Sequence, residues 1–356
     1  MTLLQAAPRL WSLKMEGTGF PCLDLHIFPL GWGTLTNLDL GFLAFYVSDS
    51  LRLLALCTRL ERVNFVTEGP ADVSVLWQPP VRLPQLTALE WFGLRYNGIS
   101  LFRRFSRPHP ETLTLRDASA ESPAPLTKFH GTIWDLEVFT AAANLTEMIC
   151  KFEPDDDVDF TLITHRNLRS LTLSEDSADV IPYLALPALQ HLDISAMDSS
   201  SSSLGSFLAR CSPALVSLSV RRNASESCFD YLHDSMSFVA STLESLKIHH
   251  MSDEDIRPLL ELVTPLTSLH TLSFSDLDGG SELHFLINFL YARFEKLRTF
   301  KLIWRSSPFL DAMSWAGWPG TPNELDAIGG HLWQLVETSM DIYLGTVYRN
   351  YASLPT

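Results

Sequence analysis

The residues of this 356-residue chain that could do chemistry are few, and their spacing sorts them. Four cations, Arg221, Lys247, His249 and Lys301, stand late in the sequence and alternate with bulky apolar residues, as in Val220-Arg221, Lys247-Ile248-His249 and Lys301-Leu302. In an extended segment such residues point away from the apolar face. They would present positive charge to an acidic or phosphorylated segment of a partner; the bland alternative is a solvated strand face with no preference. His249-His250 and His270 raise the question of a metal, but adjacent histidines on a strand face opposite ways and do not easily share one ion. Asp155-Asp-Asp-Val-Asp159 lacks the glycine and distal glutamate of a calcium loop and reads as a solvated acidic loop. No G-x-S-x-G elbow, P-loop or H-E-x-x-H occurs, and Gly279-Gly280 and Gly329-Gly330 read as turn glycines. No catalytic residue, metal or cofactor is expected.

The elements that must position the four cations come from a pattern that returns five times. It runs Leu189-Gln-His-Leu192-Asp-Ile194, Leu215-Val-Ser-Leu218-Ser-Val220, Leu243-Glu-Ser-Leu246-Lys-Ile248, Leu269-His-Thr-Leu272-Ser-Phe274 and Leu297-Arg-Thr-Phe300-Lys-Leu302. The form is L-x-x-Φ-x-Φ, with starts 26, 28, 26 and 28 residues apart. The last two apolar positions share one face of a short strand. Between strands the period turns helical: Leu204, Phe207, Leu208 and Cys211 stand at i, i+3, i+4 and i+7, as do Ile256, Leu259, Leu260 and Val263, and Leu283, Leu286, Ile287 and Leu290. Ser252 before Asp253-Glu-Asp255 predicts an N-cap with an acidic first turn, and Pro258 falls early enough in the helix to be tolerated. A repeat of about 20–29 residues with this motif is the signature of a leucine-rich repeat. Such a unit cannot bury its apolar face alone, so units stack. The expected fold is α/β: a right-handed β-α superhelix, a ribonuclease-inhibitor-like horseshoe with about thirteen short parallel strands.

The pattern reaches back to the start in Leu10-Trp-Ser-Leu13-Lys-Met15, Leu35-Thr-Asn-Leu38-Asp-Leu40, Leu60-Glu-Arg-Val63-Asn-Phe65 and Leu86-Thr-Ala-Leu89-Glu-Trp91. The middle is irregular. Glu111-Thr-Leu113-Thr-Leu115 reads as a strand, then Leu126–Gly131 and Leu145–Cys150 flank a helix-like Trp134–Asn144, and Leu168–Leu173 leads into the regular half. Stacked strands would align Lys14, Asp39, Asn64, Glu90, Thr114, His130, Thr172, Asp193, Ser219, Lys247, Ser273 and Lys301 in one outward row. The next would hold Glu16, Phe92, Arg116, Lys151, Arg221, His249 and Ile303, with acidic groups early and basic ones late. Residues 1–302 are therefore assigned to the solenoid. Residues 303–356, with Trp304, Trp315, Trp318, Trp333 and a helix through Leu325, Ile328, Leu332 and Leu335, are assigned to a carboxy-terminal cap that seals the open core. Residues 1–7 read as the tail of a helix whose strand is missing, which points to a segment upstream.

Composition limits the partners. Hydrophobic residues make up 46% and charged ones 19%, a globular balance. A net charge of −15 without a basic run argues against nucleic acid. No apolar run nears the roughly 18 residues of a membrane helix, and no secretory signal opens the chain. Five scattered cysteines without C-x-x-C pairs read as reduced thiols, placing the chain in cytoplasm or nucleus.

The strings Pro187-Ala-Leu-Gln-His-Leu-Asp-Ile-Ser, Leu204-Gly-Ser-Phe-Leu-Ala-Arg-Cys-Ser-Pro, and Leu126-Thr-Lys-Phe-His-Gly followed by Ala143-Asn-Leu-Thr-Glu resemble the repeat region of fungal F-box/leucine-rich-repeat proteins. The resemblance implies the substrate-receptor part of a Skp–cullin–F-box ubiquitin ligase, with a protein substrate held on the concave sheet and no catalysis in the chain itself. No segment resembles an F-box, so a Skp adaptor is a partner only if one lies upstream. Without it the same features fit a scaffold or inhibitor unconnected to ubiquitin. The consensus asparagine of the repeat is nearly absent, Asn223 alone falling there, so other groups must close the turns.

Overall fold

Register, more than helix, organises the fold. The computed structural model describes residues 10–15, 31–45, 47–67, 83, 85–93, 126–133, 136–152, 160–174, 177–197, 202–211, 215–222, 229–250, 253–277, 283–293, 295–304, 340–346 and 349–350. They divide into two compact units, one of residues 1–174 and 183–186, the other of 175–182 and 187–356. Both are α/β with a parallel sheet.

In the first unit β1 (Ser12–Lys14), β2 (Asn37–Phe45), β3 (Arg62–Thr67), β4 (Ala88–Gly93), β5 (Lys128–Ile133), β6 (Glu147–Phe152) and β8 (Ser170–Ser174) lie side by side and parallel. Their register brings Leu38, Val63, Leu89, Phe129, Met148 and Leu171 into one column. All six are at most 2% exposed, as are the leading leucines Leu35, Leu60, Leu86, Leu126, Leu145 and Leu168. Helix α1 (Val47–Leu56) adds Leu53 and Leu54 to this core, and a short α2 (Glu137–Ala141) adds Val138 and Phe139. A separate pair, β7 (Ile163–Thr164) and β9 (Leu184–Ala185), has no counterpart in the sequence pattern.

The turns of this unit are closed by threonine. At the second motif position Thr36, Thr87, Thr127 and Thr146 each donate their hydroxyl to the carbonyl one repeat back: Trp11 (3.1 Å), Glu61 (3.0 Å), Thr87 (3.1 Å) and Thr127 (3.1 Å). Each of these carbonyls also accepts two backbone N–H bonds, so the hydroxyl adds a third contact between neighbouring turns.

In the second unit β10 (His191–Met197), β11 (Ser217–Arg222), β12 (Ser245–His249), β13 (Thr271–Leu277), β14 (Thr299–Trp304) and β15 (Asp341–Thr346) pair in parallel. Leu192, Leu218, Leu246, Leu272, Phe300 and Ile342 form one buried column, and Ile194, Val220, Ile248, Phe274, Leu302 and Leu344 the next. Helices α3 (Ser202–Cys211), α4 (Phe229–Val239), α5 (Asp253–Val263) and α6 (Leu283–Arg293) alternate with the strands, each packing on the next. The core lies between sheet and helices: Leu204, Phe207, Leu208 and Cys211 of α3 are at most 1% exposed, and Ile256, Leu259, Leu260 and Val263 of α5 at most 5%. Pro258 stands in the second turn of α5, which continues past it. Arginines cap the segment before them. Arg293 donates to the carbonyls of Val263 (2.8 Å), Thr264 and Leu266 (2.9 Å) at the end of α5, where the helix dipole is negative. Arg210 likewise donates to Ile181 (3.1 Å) and Pro182 (3.0 Å) of the 3-10 helix Ser177–Tyr183.

The strand order departs from the sequence reading in two places. Beta4 pairs directly with β5, so no strand stands between them; the expected strand Glu111–Leu115 lies outside the described residues. The sheet also does not end at Leu302, because β15, within the residues assigned to the cap, pairs with β14 in register, and β16 (Arg349–Asn350) then pairs antiparallel with it. Among the described residues the first unit holds seven parallel strands and the second six, β15 included. Ser252, the helix through Leu325–Leu335 and Trp315, Trp318 and Trp333 lie outside the described residues. Among those described, no helix is long and apolar enough to cross a membrane.

Candidate functional site

Residues that alternate with the buried columns point away from the core, and register turns them into rows. In the second unit Asp193, Ser219, Lys247, Ser273, Lys301 and Tyr343 stand in one row, and Ser195, Arg221, His249, Ser275, Ile303 and Gly345 in the next. Ser217, Ser245, Thr271 and Thr299 line a third, two residues earlier on each strand. The four expected cations thus share one face. Arg221 and His249 are register partners on adjacent strands, and Lys247 precedes His249 by two on the same strand. Lys301 lies two strands from Lys247, about 10 Å at the usual ~4.8 Å strand spacing. Arg221 and Lys247 are exposed and Lys301 half-exposed. None of the three lies within ion-pair distance of a carboxylate among the described residues; their row neighbours are mostly hydroxyls.

His249 is half-buried in the middle of this face. Its Nδ1 is 2.6 Å from Ser275 Oγ and 4.0 Å from Asp276 Oδ2, and its Nε2 is 3.5 Å from Ser219 Oγ. Ser275 Oγ is also 3.4 Å from Asp276 Oδ2. Asp276 reaches this place because its φ of 58° is left-handed and the ladder skips it between Ser275 and Leu277; His250, one repeat earlier, has a φ of 59°. Left-handed backbone is tolerated better by Asp and His than by most residues. Burial lowers the His249 pKa, and the Arg221 charge lowers it further. Asp193 and Asp276 pull it back up, and His250 adds a smaller lowering.

The first unit uses the equivalent face differently. Its central row is Lys14, Asp39, Asn64, Glu90, His130, Ile149 and Thr172, with Thr114 outside the described residues. Asp39 is fully engaged: Oδ1 accepts from the Gly41 N–H (3.1 Å) and Asn64 Nδ2 (3.0 Å), and Oδ2 is 3.7 Å from Lys14 Nζ. Gly41 is left-handed, with φ 46°, a conformation that favours glycine. In the row alongside, Lys128 pairs with Glu147 on the next strand. Of the next outward row, Glu16 and Arg116 fall outside the described residues.

Sequence reasoning placed Arg221, Lys247, His249 and Lys301 on this face but missed Ser275 and Asp276 beside them. Ser275 carried a usable signal, since it follows Phe274 as His249 follows Ile248. Asp276 carried none, because a bulge is not written in the alternation. Among the described residues Cys57, Cys150 and Cys211 are buried free thiols. Burial pushes the Cys57 pKa up to about 12 and that of Cys150 up as well, so neither is a ready nucleophile. No group of three His, Cys, Asp or Glu among the described residues is placed to hold a metal. No protein-family model matches the chain, and no curated protein matches it in sequence.

Proposed function

We propose that the chain is a non-catalytic recognition module, a leucine-rich-repeat solenoid that binds protein partners on the outward face of its sheet. The observation that carries the reading is the second unit's face, where Arg221, Lys247 and Lys301 stand in adjoining rows among hydroxyls without a carboxylate partner among the described residues. Positive charge held on a ladder, with no carboxylate within ion-pair distance among the described residues, suits an acidic or phosphorylated segment lying across the strands, where several modest contacts add up.

Peptides of matched length bearing phosphoserine, glutamate, neutral or basic residues test this on the full chain. The phosphorylated and acidic peptides are expected to bind, and Lys247→Glu with Lys301→Glu is expected to abolish their binding. Equal binding of all four classes, or binding that survives the double charge reversal, would overturn it. The link to a Skp–cullin–F-box ligase rests on the sequence resemblance alone. Co-purification with a Skp adaptor supports that role, whereas a chain that binds acidic peptides but no adaptor is a scaffold unconnected to ubiquitin.

A further inference from the structure

Within this face one position is electrostatically unfinished. His249 is flanked by Arg221 on β11, Lys247 on its own strand and His250 after it; Asp193 on β10 and Asp276 on β13 are the carboxylates that act on it, and Lys301 on β14 adds positive charge beyond Ser273. Both ring nitrogens meet hydroxyls, Ser275 at Nδ1 and Ser219 at Nε2. The neutral ring satisfies Ser275 by accepting its proton. A protonated ring instead donates from Nδ1 to Ser275 Oγ, which frees the Ser275 proton for Asp276 and completes a chain ending on a carboxylate. The Nε2 proton, carried in both states, faces Ser219 and the side of the face where Arg221 stands, so what protonation adds there is charge. What opposes this state is burial and the Arg221 charge, and an anion beside both cations would offset that opposition.

We propose that Arg221 and His249, with the hydroxyls of Ser219 and Ser275, form a proton-linked subsite for a tetrahedral oxyanion, the phosphate monoester of a phosphorylated side chain in the bound partner. The proposal rests on the recognition reading above and names the chemistry of one contact within it. Arg221 gives a permanent charge with a forked donor set suited to phosphate. His249 adds its charge only when the anion arrives or the pH falls, so binding takes up a proton.

Sulfate is the probe, because it stays a dianion between about pH 5 and 8, the range in which histidine titrates. The full chain is titrated with it while the His249 imidazole signals are followed by NMR. Saturating sulfate is expected to raise the His249 midpoint by about one pH unit, and sulfate to bind about fivefold tighter at pH ~5.5 than at ~7.5. His249→Gln is expected to keep weak binding without the pH dependence. Arg221→Gln is expected to lose binding and, without sulfate, to raise the His249 midpoint. A phosphoserine peptide should displace sulfate where its serine parent does not, and inorganic phosphate binding as tightly as that peptide would reassign the subsite to the free ion and overturn the proposal. So would a His249 midpoint that sulfate leaves unmoved. If Lys247→Glu with Lys301→Glu still abolishes peptide binding in that case, the face stands and only the subsite is lost. If peptide binding ignores the charge reversal, the recognition reading itself has failed.

Discussion

The outward faces of the two units are built on the same parallel ladder and spend their polar residues in opposite ways. In the first, Asp39 binds Gly41, Asn64 and Lys14, and Lys128 binds Glu147, so charge is used up between neighbouring strands. In the second, the register neighbours of Arg221, Lys247 and Lys301 are hydroxyl residues and His249, and none of the three has a carboxylate within ion-pair distance among the described residues. A cross-strand ion pair secures register but leaves little for a ligand, whereas a cation beside a serine contributes little to the sheet and keeps its charge available. One architecture thus yields a face that holds itself and a face that can hold something else.

The sharpest test separates inside from outside on a single strand. Phe300 is fully buried against Phe274, their ring centroids 6.0 Å apart at 74°, while Lys301 next to it points away from the core. Phe300→Ala is expected to cost about 3–5 kcal/mol by urea denaturation. Lys301→Ala should cost under about 0.5 kcal/mol and still weaken binding of an acidic peptide. Comparable stability losses would mean that the outward row is structural. The next test reverses the roles. Asp39→Ala removes two hydrogen bonds and an ion pair, and should destabilise the chain by about 1–2 kcal/mol while leaving acidic-peptide binding at its wild-type value. Loss of peptide binding on that substitution would place ligand contacts on the first unit as well.

Acid supplies a smaller effect with a definite sign. The folded His249 pKa lies below its ordinary value of 6.5, so on acidification the unfolded chain takes up this proton first. The stability tied to the neutral ring is complete above about pH 6.5 and falls as the pH drops toward the folded pKa. His249→Gln should flatten that part of the stability profile, and sulfate should flatten it in the wild type. A profile unchanged by either would remove His249 from the contrast between the faces.

How far all this was legible follows from which positions carry side-chain information. Wherever leucine leads a repeat the strand was found, because three apolar residues at fixed offsets identify it. Where another residue takes the leading place the element is harder to see. Beta15 was missed because Ser339 occupies the leading position before Ile342 and Leu344. Helix α4 was not singled out because Ser235, fully buried, fills the i+3 place of a pattern otherwise made by Leu232, Met236 and Val239. The threonine ladder lay in plain sight as Leu-Thr pairs, but it acquires meaning only once register sets each hydroxyl under the preceding carbonyl. The rows of the candidate face followed from a period of two. The contact of His249 with Ser275 and Asp276 did not, since it depends on a left-handed residue that breaks that period.

The smallest expected effect bears most directly on the contrast. Lys128 and Glu147 are exposed partners on adjacent strands, so a double-mutant cycle to alanine should return a coupling of about 0.2–1 kcal/mol that shrinks as salt is added. Lys247 faces Ser219 and Ser273 in its row, with Asp193 and Lys301 each two strands away along it. Lys247→Ala should therefore leave stability within about 0.5 kcal/mol of wild type, and its coupling to Lys301 should be zero or faintly repulsive, fading in salt. The two results together would show charge consumed by the sheet in one unit and left over in the other. A loss of more than about 1 kcal/mol on Lys247→Ala would mean that this lysine is holding strands together, and the reason for assigning it to a ligand would be gone.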